Sequence, residues 1–490
     1  MYLKEYFPNI EKKYQNYFFS NISFDSSKIK KNFIFFAIKG NNYDGNKFIK
    51  DAIKKGAKII VHQKKFSGIY NDILFISTKN IRKLLAETAY RINNLKPKNL
   101  VSVTGTNGKS SIADFYFQLL KIHKKKVASI GTLGIKTNTA FKSLPNTTID
   151  PIRLSKIFKY LKKQKIENVI LEASSHGLKQ NRLDGLKFDI GIFTNLSHDH
   201  LDYHKTFKDY LNSKLYLFKK LLKKKANLIT DENIEQFKRI KNIAKKRGLK
   251  LNFISSSNVN SGLRIIYHEF RDEKQIVKLC YGKNEFNFEI NLIGKIQLKN
   301  VLMALIAAEK SGVKFTKLIK NLNKLRSING RLEKIGNIKN KSKVILDYAH
   351  TPDALKTVLE NLKDQFPNKK ISLVFGCGGD RDKTKRFLMG KIADRFCDKI
   401  YITDDNPRTE NPKLIRAEIR RGIKNIKNKN VLDISDRKIA IKNAILNLES
   451  SEILLVAGKG HETTQIYKKK IRFFSDRDII LRSIKNKNKD

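Results

Sequence analysis

From Leu100 onward, short apolar runs recur with helical stretches between them, and a polar cluster follows nearly every run. One series reads "LVSVT", "NVILEAS", "DIGIFTNLS" and "ANLIT"; after a break near "SINGRLE" another reads "KVILDYAH", "ISLVFGCGG", "KIYITDD" and "EILLVAGKG". Runs this apolar suit strands buried on both faces, as in parallel sheets covered by helices. Such sheets hold their ligands beyond the carboxyl ends of the strands. Before residue 97 the alternation rests on "NFIFFAI", "AKIIVHQ" and "DILFIS", and "NNLKPKN", with Pro97 as breaker, reads as a linker. The expectation is an α/β chain of three domains, spanning 1–96, 97–331 and 332–490.

Composition adds a warning. The chain carries 101 basic against 46 acidic residues, a formal charge of +55 over 490 residues. Clustered Lys and Arg would point to nucleic acid, but here lysine is spread along the whole chain beside abundant Asn, Ile and Phe, with no Trp. That pattern reads as drift in an A/T-rich genome, with no specific nucleic-acid partner expected. The start, "MYLKEYFPNIEKKYQN", shows no basic-then-apolar leader, and no apolar run approaches membrane-spanning length. Three cysteines without metal or redox spacing suit a reducing compartment. A cytoplasmic monomer without membrane insertion is the expectation.

The first chemical motif is "LVSVTGTNGKSS", a strand, then Gly105, Thr106, Asn107, Gly108, Lys109, Ser110 and Ser111, then a helix. Glycines let backbone N–H groups crowd around phosphate, and the helix N-terminus adds its positive end. Lys109 can reach β/γ-phosphates and the Ser110 hydroxyl can ligate Mg²⁺. The loop is two residues shorter than G-x-x-x-x-G-K-[ST], and a Gly-rich turn is the alternative. Glu172, ending "NVILE", can meet the same metal or simply face solvent. "TNLSHDHLDYH" crowds His198, His200 and His204 among Asp199 and Asp202. It reads equally as a metal site or as a satisfied polar loop, since HExxH and zinc-type spacings are absent.

"TGTNGKS", "EASSHGLKQNRL", "TNLSHDHLDYH", "NGRLE", "LDYAHTPDAL", "GCGGDRDKTKR", "DDNPRTE" and "GKGHE" follow one another across the chain. The ordered set closely resembles the Mur ligase family of ATP-dependent amide-forming enzymes. The resemblance implies a uridine-nucleotide domain, a central ATPase domain and a Rossmann-like amino-acid domain. Its chemistry moves the γ-phosphate of ATP onto a substrate carboxylate, and an amine then attacks the acyl phosphate. By the family pattern Ser110 and Glu172 hold one Mg²⁺. His200 helps hold a second, with Lys214 as its carbamylated partner (N6-carboxylysine). Asn300 resembles the adenine contact, Arg331 a phosphate contact, and Asp347 and His350 line the nucleotide site.

For a UDP-N-acetylmuramoyl dipeptide, the resemblance implicates Asn146, Thr147, Thr148, Ser174, Gln180 and Arg182, with Phe24 and Ser26 toward the uridine. The first domain departs from the family: Ser27 stands where arginine is usual, and Asn41–Asn42 replace His-Gln. "DDNPRTE" and "GKGHE" resemble the branch that adds meso-diaminopimelate. The amino-acid pocket is then Arg381, Asp405, Asn406, Pro407, Arg408, Gly458 and Glu462. Arg408 can pair with a distal carboxylate that lysine lacks. Two other readings stay open here: an amide ligase of the same fold with another acceptor, lysine-adding or folylpolyglutamate type, and a basic nucleic-acid-binding protein without ligase activity.

Overall fold

A computed structural model describes residues 1–40, 43–257, 262–424, 430–468 and 470–489, without the side chains of Leu201 and Asp202. Among them, three sheets follow one another along the chain. The first is built from β1 (Asn21–Ser23), β2 (Phe33–Phe36), β3 (Ala57–His62), β4 (Gly68–Tyr70) and β5 (Ile73–Ser77), in the order β1-β2-β3-β5-β4. All its pairings are parallel except that of the edge strand β4.

The central sheet holds β6 (Asn99–Thr104), β7 (Val127–Gly131), β8 (Gly134–Thr137), β9 (Phe141–Lys142), β10 (Asn168–Glu172) and β11 (Phe188–Phe193). It continues with β12 (Leu222–Asp231), β13 (Lys250–Ser255), β14 (Leu263–Arg271), β15 (Lys274–Tyr281) and β16 (Asn284–Ile290). From β14 through β13, β12, β11, β6 and β10 to β7 every pairing is parallel. The expected parallel sheet is therefore extended at both ends by antiparallel wings, β14-β15-β16 and β7-β8-β9. In β6 and β10 all but one residue is buried, which is why these strands read as continuous apolar runs. The wing strands β14 and β16 are mostly half-buried or exposed and mix charged with apolar residues, so they carry no such signal.

The third sheet has the order β17-β18-β22-β19-β20-β21, from Glu333–Lys334, Lys343–Asp347, Ile453–Ala457, Ile371–Phe375, Lys399–Ile402 and Asn430–Asp433. It is parallel apart from β17. A hairpin of β23 (Thr464–Tyr467) and β24 (Lys470–Phe473) follows. Helices Lys109–Ile122 and Lys295–Lys310 cover one face of the central sheet. Ile112, Phe115, Leu119, Leu302 and Leu305 there form one core with Val101, Val103 and Ile192. This packing pins the start of helix Lys109–Ile122 at the carboxyl end of β6. No described helix is long and apolar enough to cross a membrane.

Candidate active site

The loop after β6 is held by its own donors. Lys109 Nζ donates to the carbonyls of Gly105 (2.9 Å) and Thr106 (2.7 Å). Burial pushes its pKa down, against the pull of Glu172 and Asp199. Gly108 sits at φ 84°, and a Cβ there would lie 2.7 Å from Asn300 Oδ1. Only glycine allows both that backbone and that approach. Asn300 is buried, donates to Gln297 Oε1 at 3.0 Å, and so meets the loop from helix Lys295–Lys310. Ser110 and Ser111 open helix Lys109–Ile122, whose uncapped N–H groups at this end can receive an anion. Thr106 Oγ1 lies 3.0 Å from Tyr210 Oη, and Asn107 Nδ2 reaches Asp353 in the third unit at 3.4 Å.

Glu172 ends β10 almost fully buried. It accepts from Ser110 Oγ (3.0 Å), Thr132 N (2.9 Å) and Thr132 Oγ1 (3.1 Å). Lys214, only 1% exposed, donates to Gly105 O at 2.5 Å. Burial, then the Lys109 charge, hold its pKa well below the ordinary lysine value. His200 sits at φ 54° with Nε2 3.3 Å from Asp199 Oδ2; burial pushes its pKa down, against the pull of the Asp199 carboxylate. The histidine-rich segment does not act as one cluster. His204 turns into the protein with Nδ1 3.4 Å from Asp209, and burial lowers its pKa to about 4. Among the described residues no three His, Cys, Asp or Glu side chains converge as a metal cage. The Asp202 side chain lies outside the described residues.

From the third unit, His350 Nδ1 lies 3.0 Å from Tyr348 O, and burial lowers its pKa. Arg331 stacks on Tyr348, 4.3 Å from the ring centre. Asp347 uses both carboxylate oxygens on backbone, accepting from Leu332 N and Ala349 N at 2.7 Å each, so it braces the turn that carries Arg331.

On the side toward the first sheet, Thr147 Oγ1 meets Thr132 Oγ1 at 2.9 Å, and Thr148 Oγ1 donates to Glu172 O at 2.8 Å. Ser174 N donates to Thr148 Oγ1, and its own hydroxyl accepts from Gly177 N. Gln180 Oε1 accepts from Arg182 Nε (3.0 Å) and Nη2 (2.7 Å), while Arg182 Nη1 donates to Thr148 O. Asn146 is exposed at the edge of this group. Phe24 is 41% exposed. Ser26 opens a short turn whose Asp25 accepts from Ser27 N and Oγ, so the serine in the arginine position is tied locally. Asn41–Asn42 lie outside the described residues.

The amino-acid motifs converge on a cavity of about 450 Å³. Arg381, Asp405, Asn406, Arg408, Gly458 and Glu462 line it on one side, with His176, Asp199 and His200 of the central unit opposite. Arg408 has φ 53° and donates to Gly379 O at 2.7 Å; burial and then the Arg381 charge lower its pKa. Pro407 is buried beside it. Asp404 is spent on Arg416 and on Tyr467 Oη (2.9 Å), the turn's structural half. Sequence reasoning gave no role to Lys459, although it stands inside "GKGHE". Fully buried, it donates to Asn406 Oδ1 and Glu462 Oε2, both at 3.2 Å. Tyr348 and His176 on the cavity wall were also left without a role, and only their motif membership could have flagged them; Asp199, read only as a member of a candidate metal cluster, lines the same wall.

Comparison with known proteins agrees along the whole chain. The Mur ligase family catalytic domain matches residues 19–92, the Mur ligase middle domain 103–308, and the Mur ligase glutamate ligase domain 330–460. UDP-N-acetylmuramoyl-L-alanyl-D-glutamate–2,6-diaminopimelate ligase of Rickettsia montanensis is 39% identical over 482 residues, covering 97% of this chain and 98% of that protein. The ligase of the same name from Clostridium tetani is 38% identical over 94% of this chain and 93% of its own length. A solved structure of a ligase so named superposes with a TM-score of 0.72 at 30% identity over 99% of both chains. A MurF ligase from Thermotoga maritima in complex with ADP shares the fold, with a TM-score of 0.63 at 18% identity over 96% and 98% of the two chains. The chain belongs to the Mur ligase family.

Proposed function

We propose that this ATP-dependent amide-forming ligase of peptidoglycan precursor synthesis joins meso-2,6-diaminopimelate to UDP-N-acetylmuramoyl-L-alanyl-D-glutamate. The observation that carries the reading is the cavity where Arg381, Arg408, Asn406 and Glu462 face Asp199 and His200. Two guanidinium groups beside a carboxylate suit a zwitterionic amino-acid end, with the carboxylate on arginine and the ammonium on Glu462. Lysine offers only the ammonium and would leave a half-buried arginine unpaired. ATP and a UDP-linked substrate place the reaction in the cytoplasm.

The loop N–H groups of Gly105–Ser111 bind the phosphates. Lys109 exchanges its two carbonyl partners for phosphate oxygens, and Asn300, Arg331, Asp347 and His350 form the remaining wall. Asn146–Thr148, Ser174, Gln180 and Arg182 seat the dipeptide so that its carboxylate meets the γ-phosphate. Phosphoryl transfer turns a poor electrophile into an acyl phosphate. The diaminopimelate amine adds to its carbonyl, and the tetrahedral adduct expels phosphate. Positioning and charge neutralisation carry such a step.

The residues present fit Mg²⁺. The Glu172 carboxylate is met by the hydroxyls of Ser110 and Thr132, whose protons can rotate away to leave hard oxygen donors. Ser110 and Glu172 would hold one ion, and His200 with a carbamylated Lys214 a second. Bound there, the ions offset charge on the transferring phosphoryl group.

ADP release with the dipeptide substrate and Mg-ATP, comparing meso-diaminopimelate with L-lysine, tests the reading. Turnover with diaminopimelate alone is expected. Arg408→Ala should lower kcat/KM for it by about 100-fold, the scale of a lost charged hydrogen bond in a specificity site. Equal turnover with lysine, untouched by the substitution, would overturn the acceptor assignment.

A further inference from the structure

We propose that Arg386 is a positioning residue for the amino-acid slot: through Glu410 it fixes the Arg381 and Arg408 loops relative to each other, and so favours an acceptor with a distal carboxylate. The inference rests on the diaminopimelate reading above and deepens it.

Arg386 lies on helix Thr384–Phe396, outside the cavity wall, and is fully buried. Its guanidinium grips Glu410 as a fork, Nη1 to Oε2 at 2.9 Å and Nη2 to Oε1 at 2.8 Å, while Nη1 also donates to Glu418 Oε2 at 2.8 Å. Such paired bonds fix direction as well as distance. Glu410 stands two residues after Arg408. Its Oε1 also accepts the backbone N–H of Asp380, the neighbour of Arg381, at 2.6 Å. One carboxylate therefore ties the loop of one slot arginine to the loop of the other.

The two loops touch along their length. Gly379 N donates to Asn406 O at 2.9 Å, and Thr409 Oγ1 donates to Asp380 Oδ1 at 2.6 Å. A Cβ on Gly379 would lie 1.9 Å from Pro407 O, so the backbones are in direct contact. What opposes this closeness is charge. After burial, the Arg381 guanidinium is the largest influence lowering the Arg408 pKa, so the two like charges disfavour each other until an anion comes between them. Arg386 supplies the counterforce from behind the slot, and it is the main reason that the Glu410 carboxyl is held down at about 2. A distal carboxylate profits from two guanidinium groups already held together. An ammonium alone does not.

The test uses the full chain with Glu410→Gln, Arg386→Lys and Glu418→Gln. The last removes a partly exposed partner that bonds to neither loop, and it keeps the experiment informative if the buried variants fail to fold. KM for meso-diaminopimelate, ATP and the dipeptide substrate are measured separately, together with acyl-phosphate formation trapped in the absence of amine. Expected is a rise of about 10-fold or more in KM for diaminopimelate with Glu410→Gln or Arg386→Lys, and a smaller rise with Glu418→Gln. KM for ATP and for the dipeptide, and acyl-phosphate trapping, should stay within about 2-fold. The preference for diaminopimelate over lysine should narrow. A rise of similar size in all three KM values with an equal loss of acyl-phosphate trapping, or an unchanged KM for diaminopimelate, overturns the brace. No wild-type turnover with diaminopimelate would instead sink the acceptor reading, and the slot assignment with it.

Discussion

At the scale of single residues, Lys214 shows what sequence can and cannot say. Lysine is so common in this chain that position 214 carries a signal only through its spacing from His200. Folding makes it singular, with Nζ buried against Gly105 O and the Tyr210 ring. Its depressed pKa comes from burial first and from Lys109 second. Only an unprotonated amine adds to CO₂, and lowering the pKa enlarges that fraction at a given pH. The sign follows: as pH falls through the depressed pKa, the amine takes up a proton and the carbamate is lost. Enzyme stripped of CO₂ should lose activity, recover on adding bicarbonate, and recover less as the pH is lowered. Lys214→Ala should be inactive throughout and partly rescued by a short carboxylate. Wild-type activity in Lys214→Ala would remove the residue from the site. Lys459 teaches the reverse lesson. Its motif was legible, but its grip on Asn406 and Glu462 depends on β22 and β20 flanking β19, which no local pattern encodes.

At the scale of elements, legibility followed burial. The strands buried on both faces, β6, β10, β11, β18, β19 and β22, stand out as apolar runs with the candidate site residues just beyond them. The β14-β15-β16 meander stayed hidden because "LRIIYHEFR" and "NEFNFEI" mix charged and apolar residues on half-exposed faces. The junction of β6 with helix Lys109–Ile122 makes its own prediction. Gly108→Ala would force a Cβ into a left-handed conformation and against Asn300. Strain of about 1–2 kcal/mol amounts to a factor of about 5–30. KM for ATP should rise by at least that factor while the fold, followed by circular dichroism, persists. An unchanged KM would mean that the loop opens away from Asn300 when nucleotide binds.

At the scale of the whole molecule, the surplus of basic charge says little about function, and some of it is spent on carboxylates across the seam between units. That seam runs along the β14-β15 turn. The β14-β15 turn places Glu273 between Lys334 (2.6 Å) and Lys343 (2.9 Å) of the third unit, and Asp272 O accepts from Gln365 Nε2 at 2.8 Å. Gln365 Oε1 in turn accepts from Gly294 N, and Asn361 Oδ1 from Ile296 N, at the start of helix Lys295–Lys310. The third unit is thus tied to the central one along one edge, while its motif loops line the cavity opposite Asp199 and His200 along another, a geometry suited to pivoting. Glu273→Gln would leave two ammonium groups facing each other with less opposing charge. Because all three side chains are partly exposed, the stability cost should be only about 0.5–1 kcal/mol at low salt and less at high salt. The larger effect should be on shape. Small-angle scattering of the unliganded variant should give a larger radius of gyration than wild type. With an ATP analogue and the dipeptide substrate, ligand contacts should bring both to the same compact value. An unliganded variant as compact as wild type would mean that the backbone and amide contacts of Gln365 and Asn361 hold the seam without Glu273.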